Sequence, residues 1–293
     1  MAYSQNSFYR SFHIPKRDGK TRKIDAPFPS LSTIQKWLVT NIIDNLEIDA
    51  DSATAYRKNK SIKDHVFRHA DSNYILKVDL KNFFPSIKVS YVYKILHECG
   101  YSKNICNLIS NLLTLNGSLP QGAPSSPSLC NVVAKNLDFK LSRYCATLEL
   151  KYSRYADDLV ISGDNISNQN ISDVIEQIRS EGFFINYSKF KLYAPSENVR
   201  HLTGLVINNS FVSIPRKTRR KIRQSFYYVD KYLIKDIRSK DSVENRNNIL
   251  LSDPIAVDRL NGYLNFWLWI EPDSEFAFES KAKLSKIIRR LQE

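Results

Sequence analysis

Apolar positions along the chain follow two rhythms. Leu31, Ile34, Leu38, Ile42 and Leu46 recur at helical spacing, which predicts a helix from Leu31 to Leu46 with one stripe turned to the core. Tyr74 to Val78 is a strand-like apolar run that ends at Asp79. Leu148 to Tyr152 alternates apolar with polar residues, and Leu159-Val160-Ile161 is apolar again before Gly163. These last two segments read as strand, turn, strand around Tyr155-Ala156-Asp157-Asp158. Leu119 to Pro127 is dense in Pro, Gly and Ser and predicts a loop. A helix is expected next over Leu129 to Leu137, its start set by Ser125, Ser126 and Pro127. Tyr263, Phe266, Trp267, Trp269 and Ile270 form a helix-like run expected to be core, and Lys281 to Arg290 reads as a basic amphipathic helix. There are no internal repeats. Ser210 to Pro215 is the best candidate boundary, giving domains at 1–207 and 215–293 joined by 208–214.

Charge narrows the partners. Lys and Arg number 43 against 30 acidic residues, a formal net charge of +13 over 293 residues, which favours polyanions. Such a balance alone fits a ribosomal protein, a nuclease or a membrane-surface protein equally well. No apolar stretch approaches the roughly 20 residues that span a bilayer, and Met1 to Arg10 lacks the apolar centre of a signal peptide. A cytoplasmic protein without membrane contact is expected. Cys99, Cys106, Cys130 and Cys145 include no Cys-x-x-Cys pair, so neither a disulfide framework nor a zinc knuckle is indicated. His65 and His69 stand four apart with no acid between them as in His-Glu-x-x-His, and are expected on a polar helix face.

The candidate chemistry lies in the acids. An Asp-Asp pair by itself is usually a turn or a cap, but Asp157 and Asp158 stand at the tip of a predicted hairpin, where adjacent carboxylates repel unless a cation or base neutralises them. Asp79 ends a separate apolar run. Three hard carboxylates converging from separate strands suit two divalent ions about 3.5 to 4 Å apart, the arrangement that clamps the attacking and leaving oxygens of an in-line displacement.

The chain carries, in order, Val78-Asp79-Leu80-Lys81-Asn82-Phe83-Phe84-Pro85-Ser86-Ile87, Leu119-Pro120-Gln121-Gly122-Ala123-Pro124-Ser125-Ser126-Pro127 and Arg154-Tyr155-Ala156-Asp157-Asp158. Glu181-Gly182 with Asn186 and Lys189, then Leu202-Thr203-Gly204-Leu205, follow. Their order and spacing from Arg22 to Ile207 resemble a reverse transcriptase, and the short layout most resembles the bacterial retron enzymes. The resemblance implies an α+β right-hand polymerase: fingers and palm interleaved in 1–207, with an antiparallel palm sheet packed on helices, and a helical thumb from Pro215. At 293 residues, no ribonuclease H or endonuclease domain is expected after the polymerase motifs. The resemblance implies two Mg²⁺ ions, with Mn²⁺ as the alternative, held by Asp79, Asp157, Asp158 and the carbonyl of Leu80. Phe84 would lie under the sugar of the incoming deoxynucleoside triphosphate and exclude a 2′-hydroxyl, while Phe83 is core. Gln121 and Tyr155 would line the same nucleotide, and the backbone near Gly122 would approach the template. Either Arg57 or Lys58 would contact the triphosphate, and the choice stays open. Lys189 would protonate the pyrophosphate leaving group. Thr203 and Gly204 would form the primer grip. In the thumb, Arg216, Lys217, Arg219, Arg220 and Arg223, interleaved with Tyr227, Tyr228 and Tyr232, are expected to grip RNA phosphates and stack unpaired bases. Arg17 to Lys23 is a basic loop with an Asp18-Gly19 turn signal.

Retron enzymes bind a structured RNA encoded beside them, start from a guanosine 2′-hydroxyl within it, and make short multicopy single-stranded DNA. Such systems commonly include an effector protein and act against phage. Two departures from that pattern are His65-Val66-Phe67-Arg68-His69, where Asn-Ala-x-x-His is usual, and Leu202-Thr203-Gly204, where Val-Thr-Gly is usual. Two further readings stand beside the retron one. The first is another bacterial reverse transcriptase, of abortive-infection or group II intron type. The second is an RNA-bound component that restrains a toxin.

Overall fold

A computed structural model describes residues 2, 4–15, 19, 21–48, 51–233 and 254–292. The chain divides into two compact units, Met1–Glu197 and Asn198–Glu293. Residues 199–208 pair with one another and with the strand that follows them, not with the first unit's sheet, and so fall in the second unit.

The first unit opens with an antiparallel ribbon, β1 (Tyr9–Pro15) and β2 (Thr21–Pro27). Of the basic loop expected at its tip, Arg17, Asp18 and Lys20 lie outside the described residues, and Thr21 to Lys23 belong to β2. Helix α1 (Pro29–Asn41) buries Leu31 and Leu38 as the stripe predicts, but it stops short of Leu46. Asn41 Nδ2 donates to the carbonyl of Trp37 at 2.8 Å and Asn45 Nδ2 to that of Asn41 at 3.1 Å, so short amide side chains compete for the backbone where the helix should continue. A single 3-10 turn, Ile43–Asn45, follows. Next come α2 (Ile62–Phe67), β3 (Tyr74–Asp79), α3 (Phe83–Ser86), α4 (Val89–Glu98) and α5 (Lys103–Leu113). The Pro- and Ser-rich loop gives way to α6 (Ser126–Val133), which starts where predicted, and then α7 (Lys135–Thr147).

Strand β4 (Lys151–Tyr155) starts later than the alternation at Leu148 suggests. Glu149 takes φ +55° and the Leu150 N–H returns to the carbonyl of Cys145 at 2.8 Å, so residues 148–150 close α7 instead. With β5 (Asp158–Gly163), α8 (Asn168–Ser180) and β6 (Lys191–Tyr193), the unit completes an antiparallel sheet in the order β4-β5-β3-β6. Its pleat separates two faces. Leu76, Val78, Leu159, Ile161 and Tyr152 enter the core, shared with Leu137, Leu141 and Cys145 of α7 and Val174 and Ile178 of α8. Lys77, Asp79, Asp158 and Ser153 alternate onto the other face.

The second unit begins with a three-stranded meander, β7 (Val199–Leu202), β8 (Leu205–Asn208) and β9 (Phe211–Ser213). Helices α9 (Arg216–Tyr228), α10 (Pro254–Ile270) and α11 (Glu275–Gln292) follow. Ile222, Phe226, Leu264, Trp267, Ile270, Leu284 and Ile287 form its interior, with Phe226 and Trp267 both against Phe276. Two members of the aromatic run expected to be core, Tyr263 and Trp269, are instead 47% and 42% exposed. At helical spacing Trp269 lies off the face that Trp267 and Ile270 bury, whereas Tyr263 stands on their side of the helix and stays exposed there. No helix among the described residues is long and apolar enough to cross a membrane.

Candidate active site

Strand register brings three carboxylates to one end of the first unit's sheet. Asp79, the last residue of β3, pairs across with Asp158, the first of β5. Tyr155 also pairs with Asp158, so the loop from β4 to β5 is Ala156-Asp157 alone. Ala156 adopts φ +56°, the left-handed geometry that two-residue hairpins require at their first central position. The Leu80 N–H donates to the Asp157 carbonyl at 2.8 Å and ties this loop to the end of β3.

Asp79 is buried, and both of its oxygens are held. Asn186 Nδ2 donates to Oδ1 at 2.9 Å and Lys189 Nζ to Oδ2 at 2.7 Å. The Asn186 N–H also donates to the Asp79 carbonyl at 2.8 Å, which docks the segment before β6 beside the acid. Lys77 places its ammonium 3.7 Å from Asp158. Burial, and then the charges of Asp158 and Asp79, raise the Asp157 carboxyl above the ordinary carboxylate range. At Lys189 burial opposes the charged form, but the hydrogen bond to Asp79 and the attraction of the three acids outweigh it and raise the ammonium's pKa.

Among the described residues no three His, Cys, Asp or Glu side chains are grouped so as to hold one metal ion. Asp79 is engaged by Lys189 and Asn186. The donor chemistry suits hard divalent cations, because all three side chains offer carboxylate oxygens and a cation relieves the repulsion that raises Asp157.

Phe84 is half-buried beside Tyr56, ring centroids 6.4 Å apart, whereas Phe83 is buried against Phe183. Arg57 is half-buried with Nη1 donating to the carbonyl of Ala53 at 3.1 Å, and Lys58 is exposed. The Gln121 carbonyl accepts from the Asp25 N–H at 2.7 Å. At φ +123° a Cβ on the neighbouring Gly122 would stand 2.9 Å from the Asp25 carbonyl oxygen, so glycine is needed here for the close approach to β2.

Residues 14–234 match the sequence pattern of the family described as reverse transcriptase (RNA-dependent DNA polymerase). The chain belongs to this family. It is 32% identical over 233 residues to the Retron Ec86 reverse transcriptase of Escherichia coli, covering 78% of this chain and 72% of that one. It is 33% identical over 246 residues to the Retron Ec73 reverse transcriptase of the same organism, covering 78% of each. Among solved structures, apo telomerase from Candida tropicalis superposes with a TM-score of 0.54 at 13% identity, over 96% of this chain and 58% of that one, a likeness of fold alone. This reverse transcriptase is thus a retron-type RNA-directed DNA polymerase of α+β fold, with an RNA template and deoxynucleoside triphosphates as substrates.

The reverse transcriptase carries its other predicted site residues in the second unit. Thr203 and Gly204, at φ +45° and +88°, form the two-residue turn between β7 and β8. Arg216, Lys217 and Arg220 are exposed on α9. Arg219 is partly used inside the unit, its Nε donating to the Ile214 carbonyl at 3.1 Å, and Arg223 lies over the Phe276 ring at 5.0 Å. The side chain of Tyr232 lies outside the described residues.

Two features escape local sequence patterns. His65 and His69 are fully buried, not on a polar face: α2 and the turn after it bring them onto the sheet, where His65 Nδ1 meets Ser153 Oγ at 2.7 Å and His69 Nδ1 meets Ser162 Oγ at 2.7 Å. Burial, with the nearby charge of Lys77, pulls the pKa of His65 down to about 3, and burial likewise holds His69 well below its ordinary value. Arg154 is also fully buried, with Nε and Nη2 on the two oxygens of Asp138 in α7 at 2.8 and 2.6 Å. Removing either partner alone strands the other charge, typically at a cost of about 3–5 kcal/mol. Nothing near Asp138 in the sequence announces it.

Proposed function

We propose that this reverse transcriptase copies part of a cognate, structured non-coding RNA into short multicopy single-stranded DNA, starting from a 2′-hydroxyl of that RNA. The supporting observation is the meeting of Asp79, Asp157, Asp158 and Lys189 at one sheet end, in a chain whose relatives are retron enzymes. In this reading 1–207 supplies fingers and palm, and 215–293 the RNA-binding thumb. Asp79, Asp157, Asp158 and the carbonyl of Leu80 hold two Mg²⁺ ions, or Mn²⁺. When bound, the ions supply Lewis-acid stabilisation of the attacking and leaving oxygens.

The chain's own groups do the rest. Lys189 gives its proton to the departing pyrophosphate. Phe84 closes the space a 2′-hydroxyl needs, Gln121 and Tyr155 flank the nucleotide, and Arg57 or Lys58 takes the triphosphate. Thr203 and Gly204 hold the primer end. Arg216, Lys217, Arg219, Arg220 and Arg223 bind RNA phosphates. An effector protein encoded nearby completes an anti-phage system.

The test is to express the gene with its native flanking DNA and resolve total nucleic acid on a denaturing gel, before and after ribonuclease and debranching treatment. A discrete DNA band that shifts on treatment and is absent from Asp157→Asn is expected, with RNA affinity retained in that variant. Polymerase activity on a supplied primer and template without branched DNA would assign the chain to another reverse-transcriptase class. Full synthesis by Asp157→Asn would overturn the site.

A further inference from the structure

We infer that Arg154 is a positioning residue for DNA synthesis: clamped by Asp138, its guanidinium ties the Ala156-Asp157 loop to the segment 52–57 that carries Arg57. The inference rests on the active site proposed above.

Arg154 belongs to two structures at once. Its main chain is bonded to the segment, because its N–H donates to the Ser52 carbonyl at 2.8 Å and its carbonyl accepts from the Thr54 N–H and Oγ1, both at 2.9 Å. Its side chain faces the core and does two further things. Nη1 donates to the Ala156 carbonyl at 3.1 Å, inside the loop that presents Asp157. Nη2 donates to Asn131 Oδ1 at 3.2 Å, and Asn131 Nδ2 donates to the Ala55 carbonyl at 2.9 Å, which returns to the segment just before Tyr56 and Arg57. Asp138 is fixed in turn by Tyr152, whose hydroxyl donates to Oδ1 at 2.7 Å.

Stability alone does not account for this arrangement. A buried ion pair generally stabilises no better than well-packed apolar residues of the same volume. What an apolar pair cannot supply is a donor to the Ala156 carbonyl and another to Asn131. Lysine cannot supply them either, since one ammonium lacks the planar fork that reaches Asp138 through two nitrogens while the third bonds the loop. The position of Asp157 and that of the nucleotide-side segment thus depend on one rigid group.

The test uses the full chain on poly(rA) primed with oligo(dT), with dTTP as the varied substrate, and rates are expressed per folded molecule from circular dichroism of the same samples. Four variants are compared with the parent: Arg154→Lys, Asn131→Ala, the two combined, and the double variant Asp138→Leu with Arg154→Met, which removes both charges together. Freeing the loop is expected to lower kcat about tenfold or more in Arg154→Lys and in the double variant, since displacement of reacting groups by about 1 Å can cost roughly a hundredfold. Asn131→Ala is expected to raise the KM for dTTP about fivefold with less change in kcat, the signature of lost nucleotide-side positioning. Asn131→Ala added to Arg154→Lys is expected to add little, because both act through one guanidinium. Parent-like kcat and KM per folded molecule, or losses that merely track unfolding, would overturn the inference. Asp157→Asn runs alongside: activity there would sink the active site itself, whereas an inactive Asp157→Asn beside parent-like Arg154 variants would sink only the positioning role.

Discussion

Lys189 shows how one side chain can serve two states of a reaction centre. Its side chain is 56% exposed yet bonded to the Asp79 side chain, which is only 5% exposed, so it neutralises Asp79 from a site open to solvent. Lys189→Met is expected to reduce the single-turnover rate of nucleotide addition about a hundredfold, the usual scale of a lost general acid. Primer-template affinity should stay near the parent's, and an unchanged rate would remove Lys189 from the chemistry. The acids were legible in the sequence because Asp79 ends one apolar run, Asp158 begins another and Asp157 stands in the turn before it, and register does the rest. Asn186 was visible only as part of a motif, and its bond to Asp79 Oδ1 depends on a loop 107 residues away in sequence. Arg154 was legible only as the residue before Tyr155. Its meaning lies in Asp138 and Asn131, on two helices whose facing sides no local pattern specifies.

Elements were legible where one period governed them. Strands β3 and β5 and the start of helix α6 stand close to where apolar spacing and proline placed them. The end of α1 and the start of β4 were misjudged because amide side chains and a left-handed Glu149 decide them, and neither changes the apolar pattern. Helix α2 misled in another way. His65 and His69 look solvated in sequence, but hydroxyls on strands 88 and 93 residues away make their burial affordable. The buried rings predict an acid-sensitive fold. Both have native pKa values below the ordinary 6.5. As pH falls below 6.5 the unfolded chain binds protons that the native one refuses, so stability is complete above that pH and declines towards the native pKa, about 3 for His65. The thermal midpoint is expected to drop between pH 7 and pH 5, and His65→Asn to flatten that drop. An equal drop in the variant would assign the acid sensitivity to other groups.

On the scale of the whole molecule, charge and chain order matter more than any one contact. The excess of 43 basic over 30 acidic residues makes nucleic-acid binding salt-dependent. Each phosphate contact contributes about 0.7 to 0.9 to the slope of log affinity against log salt. Replacing Arg216, Lys217 and Arg220 together by Ala is expected to weaken binding to a structured RNA and reduce that slope by about 2 to 3, read by filter binding across a salt series. An unchanged slope would place the phosphate contacts elsewhere. The unit boundary was the least legible feature at this scale, since only pairing shows that 199–208 belongs with β9.

Strand β3 lies in the middle of its sheet, and the strands on both of its edges come later in the chain. During synthesis Asp79 therefore leaves the ribosome well before Asp157, Asp158, Asn186 and Lys189. The sheet cannot close around it until Lys191–Tyr193 has been made. A chain still being made can therefore join no nucleotide until the strand Lys191–Tyr193 and the loop that carries Asn186 and Lys189 have been synthesised.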